Sequence, residues 1–146
     1  MAAGARADFY LLQSADRRTR LLTACRIAEK AFEQGLRVSI LAEGPEEVAE
    51  LDDLLWTFSD RSFVPHGCWP ADEDFARDTP VLIGRGSVPP PHRDVLVNLG
   101  QELADDPAGY ARICEVVGSA EPEKKAARER WRRYRDAGLE LDSHDV

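Results

Sequence analysis

Residues Asp8–Ala42 read DFYLLQSADRRTRLLTACRIAEKAFEQGLRVSILA. The first five, DFYLL, are short, apolar and carry two aromatics, which predicts a strand. Ser14 or Asp16 is placed to cap a helix. Leu21, Cys25, Ala28 and Phe32 then recur at i, i+4, i+7 and i+11, which is one helical face. Gly35 stands where helices stop. Arg37 to Ala42 becomes nearly continuous in apolar residues toward its end, the mark of a buried parallel strand. Strand, helix and strand in this order form a βαβ unit.

The same alternation continues outward. Pro45 with Glu46 and Glu47 suits a first helical turn, and Val48, Leu51, Leu54 and Leu55 give Glu46–Trp56 an apolar face. Phe63–Pro65 reads as a short extended piece, and His66–Thr79 as an exposed acidic loop. Pro80–Ile83, Asp94–Leu99 and Ile113–Val117 read as strands. The first two are separated by a connector through Pro89, Pro90 and Pro91. A last long helix starts near Pro122 and stops near Gly138, leaving a short tail from about residue 139. The fold class expected is α/β: a single Rossmann-like domain over 1–146, its mostly parallel sheet flanked by helices.

Composition narrows the function. A chain of 146 residues, 43% hydrophobic and 32% charged, suits one globular domain. No stretch approaches the roughly 20 apolar residues of a membrane span, and the start lacks a secretory apolar region. A cytoplasmic location is expected. Cys25, Cys68 and Cys114 are odd in number and form no CxxC pair, which disfavours a zinc site or a disulfide scaffold. His66, His92 and His144 share no metal-ligand spacing. The first strand-to-helix turn, QSADRRTR, has no glycine, so it lacks what a dinucleotide site needs. The G-x-G at Gly84 runs into proline instead of a helix. No catalytic residue, metal or cofactor is expected.

Two constellations remain. Although the net charge is -8, residues 123–138 read EKKAARERWRRYRDAG. At about 100° per residue, Lys124, Arg128, Arg132 and Arg135 fall in one stripe, with Ala127, Trp131 and Tyr134 along its edge. Such a stripe is either a solvated helix face or a binding strip. The excess of arginine over Glu123, Glu129 and Asp136 favours the second. Arginine forks suit carboxylates and an aromatic wall suits an apolar anchor, so the natural ligand is a short acidic peptide ending in a hydrophobic residue. The other constellation is Trp56, Phe58, Phe63, Val64 and Pro65, readable as a corner of the core or as a docking surface.

The chain also resembles a known family in order along nearly its whole length. FYLL at the start, ELDDLLWTFSDRSFVPH in the middle, PPHRDVLVNL later and KKAARERWRRYRDAGLEL at the end look like the chi subunit of bacterial DNA polymerase III. The resemblance implies an α/β fold without catalysis and an accessory place in the clamp-loader complex. It implies a bridge to single-stranded DNA-binding protein, whose tail is acidic and ends in phenylalanine. On it, Lys124, Arg128, Trp131, Arg132 and Arg135 match the tail-binding helix, with Tyr134 beside them. Trp56, Phe63 and Pro65, with Val64 between, match the surface for the psi subunit or a helicase. Trp131 stands where the family often has tyrosine. Contact with DNA is then indirect. Readings from other classes are a small nucleotide-binding or hydrolytic enzyme, and direct single-stranded DNA binding through the basic helix.

Overall fold

The structure is a computed structural model and describes residues 5–59, 63–69, 73–85, 92–100 and 106–146. Its strands are β1 (Arg6–Leu11), β2 (Val38–Leu41), β3 (His66–Cys68), β4 (Val81–Gly84), β5 (Val95–Asn98), β6 (Arg112–Val117) and β7 (Glu140–Asp145). Its helices are α1 (Arg17–Glu33), α2 (Pro45–Thr57), α3 (Glu73–Asp78) and α4 (Glu121–Asp136). The seven strands form one sheet in the order β3-β4-β2-β5-β6-β1-β7, and every described pairing is parallel. The α/β class holds.

Local chemistry sets the element ends. Asp16 accepts the Thr19 amide at 3.2 Å and caps α1, while Gly44 and Pro45 open α2. Gly35 and Gly138 follow α1 and α4 with φ of 78° and 89°, where a side chain would be strained. An all-parallel sheet must be covered on both faces. Here α1 and α2 cover one, over a cluster including Leu21, Cys25, Ile40, Leu51, Leu55, Val97 and Cys114. Helix α4 covers the other, over Phe9, Ile113, Val117, Ala127 and Tyr134.

One expectation is extended and two are corrected. The expected strand, helix and strand form in one parallel sheet, with β6 and β5 lying between β1 and β2. A contiguous strand-helix-strand pattern does not specify adjacency when later strands insert. Second, His66–Thr79 is not simply an exposed loop. It holds β3, the buried Trp69, whose indole donates to the Arg85 carbonyl at 2.9 Å, and α3 with buried Ala76. Two apolar anchors among many acids leave no periodic signal. Third, the expected tail is β7, pairing with β1 from Arg6↔Glu140 to Leu11↔Asp145. Its polar sequence is that of an exposed edge strand, where charge discourages further pairing. The turn beyond Arg85 and the Pro89–Pro91 connector lie outside the described residues.

Candidate partner-binding groove

Strands β1 and β6 are adjacent and parallel, yet the helices that follow them go to opposite faces, α1 to one and α4 to the other. In open α/β sheets a crevice opens at the carboxyl ends of strands where connections diverge in this way. A groove of about 630 Å³ lies there, between α4, the ends of β1 and β6, and β7. Its apolar lining comes from Phe9, Leu11, Leu12, Val117, Ala127 and Trp131. Its cations are Lys124, Arg128, Arg132 and Arg135, and on the β7 side it meets Ser143 and Asp145.

The helix is fixed so that this face stays open. Ala127, Arg130 and Tyr134 are its buried residues. Glu115 of β6 is fully buried and accepts from Arg130 Nε at 3.0 Å, from Asn98 Nδ2 at 3.0 Å and from the Tyr134 hydroxyl. Burial pushes the Glu115 carboxyl above the ordinary carboxylate range, against the opposing pull of Arg130, Tyr134 and Asn98. Trp131 is half-buried, its ring 5.1 Å from that of Phe9, so it forms a wall braced from below. Lys124 and Arg128 are exposed and have no ion pair among the described residues. Arg132 reaches Glu129 at 3.2 Å, and Arg135 reaches Asp136 only at 3.7 Å, both in solvent where such pairs are weak.

Five of the six residues expected in the strip therefore line one groove. Tyr134 does not: it is fully buried, and its hydroxyl serves the Glu115 network. Helical angle alone put it at the edge, but it lies beneath the strip. Phe9, Leu11 and Val117 on the sheet, and Asp145 on β7, were not anticipated as lining. For Leu11 and Val117 the signal was the apolar carboxyl end of a strand; Asp145 left none.

The second constellation divides as well. Trp56 and Phe63 are exposed by 54% and 62%, with ring centroids 5.4 Å apart. His66 lies 4.7 Å from Trp56 and contacts the Asp52 carboxylate at 3.1 Å, bracing the pair. Pro65 is half-buried, whereas Val64 is buried in the core and offers nothing to a partner.

Nucleotide chemistry finds little support at this groove. The turn into α4 contains Gly118, but the Glu123 carboxylate accepts its amide at 2.7 Å and occupies the place of an anion. Across the sheet, Asp8, Asp142 and His144 converge. Asp8 is bound there by Arg6 at 2.7 Å and Arg112 at 2.8 Å, two guanidiniums that neutralise the charge a cation would need.

The family model described as DNA polymerase III chi subunit, HolC, matches residues 5–142. DNA polymerase III subunit chi of Pseudomonas aeruginosa is 40% identical over 139 residues, covering 95% of each chain. The Escherichia coli K12 protein of that name is 34% identical over 146 residues, covering 94% of this chain and 95% of its own. The Haemophilus influenzae protein is 31% identical over 141 residues, covering 96% of each. The chain belongs to the DNA polymerase III chi subunit family.

Proposed function

We propose that this chain is a non-catalytic adaptor of the DNA polymerase III complex. It links the clamp loader to single-stranded DNA-binding protein by holding that protein's acidic, phenylalanine-ended tail in the α4 groove. The observation that carries this reading is the pairing of Lys124 and Arg128, which have no ion pair to a described residue, with an apolar wall at Trp131. The cations read the tail's carboxylates and the wall takes its terminal ring. The exposed Trp56–Phe63 pair is the surface for a second protein, psi or a helicase, on a different element from α4. Work at the replisome implies a cytoplasmic place. No helix among the described residues is long and apolar enough to cross a membrane.

Calorimetric titration with the tail peptide tests the reading. Affinity should fall as salt rises, since the screening length is about 8 Å at physiological ionic strength, yet persist through the apolar anchor. Deleting the terminal phenylalanine should cost about 1.5–3 kcal/mol. Neutralising one upstream aspartate should cost about 0–1 kcal/mol. A phenylalanine-deleted peptide that binds as well as the intact tail would refute the anchor. Stronger binding of a single-stranded oligonucleotide than of the peptide would favour direct DNA binding.

A further inference from the structure

A second groove lies on the α1 side of the sheet. Its volume is about 640 Å³, and it shares only Leu12 and Gln13 with the α4 groove. It runs along α1 from Thr19 past Lys30. Its apolar lining includes Leu12, Ile27, Ala31 and Val95. Arg26 and Lys30, one helical turn apart, border it, and both are exposed with no hydrogen bond or ion pair to a described residue. Arg112, which also lines it, is held by Asp8 and the Tyr10 hydroxyl.

We propose that this groove is a second peptide-docking site, taking an extended acidic segment that carries aliphatic side chains. Charge complementarity chooses the occupant. Two cations at a groove rim with no partner among the described residues, in a chain of net charge -8, are a local exception that a short acidic peptide satisfies. The aliphatic lining chooses the side chains. Tyr10 is stacked on His144 with centroids 5.1 Å apart, so it is not a free platform for a nucleic-acid base. A long polyanion would also meet the acidic remainder of the molecule. From Thr19 to Lys30 the helix rises about 16 Å, the reach of about five extended residues.

The site is independent of the α4 reading, and the test separates them. The isotope-labelled full chain is titrated with a capped peptide, Asp-Leu-Asp-Leu-Asp, while backbone amide shifts are followed. Saturable shifts should appear along Thr19–Lys30. Arg26→Glu with Lys30→Glu should weaken binding at least tenfold with the circular dichroism unchanged, and the double glutamine variant should show a smaller loss. Arg128→Ala should leave this binding within twofold. Shifts confined to α4, charge-reversed protein that still binds within twofold, or no shift at millimolar peptide would each overturn the proposal. So would a five-nucleotide single strand that moves the α1 amides more strongly than the peptide does.

Discussion

Arg128 and Arg130 stand two positions apart on α4 and do opposite work. Two residues turn a helix by about 200°, so Arg128 faces the groove while Arg130 is buried against Glu115. Arg128→Ala should therefore remove about 1.5–3 kcal/mol of tail binding, the worth of a charge-assisted contact. Its thermal midpoint should stay within about a degree of the parent, because a solvated side chain with no partner contributes little to stability. An unchanged peptide affinity in this folded variant would move the site elsewhere. Asp145 gives a prediction of the opposite sign. It lines the same groove from β7, where its carboxylate would oppose the proposed acidic ligand. Asp145→Asn should tighten the tail by up to about 1 kcal/mol, an effect that shrinks in high salt. Weaker binding would mean that Asp145 donates structure to the groove.

At the scale of elements, the buried carboxylate of Glu115 on β6 meets Arg130 and Tyr134 of α4. Truncating one member of a buried ion pair removes the other's charge partner and costs about 3–5 kcal/mol. Glu115→Ala should therefore lower the urea midpoint by that equivalent and weaken the tail as α4 loosens. Replacing Glu115 and Arg130 together by leucine and methionine should recover most of the stability. If the double replacement is no better than the single one, the network is doing more than satisfying itself. The elements were largely legible in the sequence because α1, α2 and α4 each show apolar residues at helical spacing, and β2, β4, β5 and β6 are apolar runs. The stripe of cations on α4 was legible for the same reason. Glu115 was not, since nothing local in RICEVV says that an acid inside a buried strand meets Arg130 and Tyr134 from a later helix. Nor was β7, whose alternating polar residues make sense only once β1 is known to lack a neighbour on that side. The Trp56–Phe63 pair lies elsewhere, Trp56 on α2 and Phe63 in the segment before β3. Trp56→Ala should abolish capture of the second partner and leave tail affinity unchanged; loss of both would mean that the patch supports the fold.

Across the whole molecule, the two faces of the β1–β7 edge use charge differently: α4 presents exposed cations, while on the opposite face Arg6 and Arg112 pair with the buried Asp8. Burial alone would raise the Asp8 carboxyl, but hydrogen bonds from Arg6, His144 and Arg112 outweigh it and hold the group at about 2, against an ordinary 3.8. A carboxyl depressed in the folded state favours folding above its unfolded value. That contribution, roughly 2 kcal/mol by linkage, should be fully present above the ordinary value of 3.8 and fade as pH falls toward about 2. Glu115 has the opposite sign, because its raised carboxyl favours folding in acid and loses that contribution as pH rises. The raw acid-unfolding curve mixes the two, so the informative quantity is the difference between parent and Asp8→Asn. Near neutral pH the variant should be less stable, since two arginines lose their shared carboxylate. The gap should narrow as pH drops through the window between 3.8 and about 2, where the parent's Asp8 also becomes neutral. Urea unfolding at a series of acidic pH values measures it. A gap that stays constant across that window would mean that Asp8 acts through shape and packing alone, and that β7 is held to β1 by its backbone ladder with no electrostatic help.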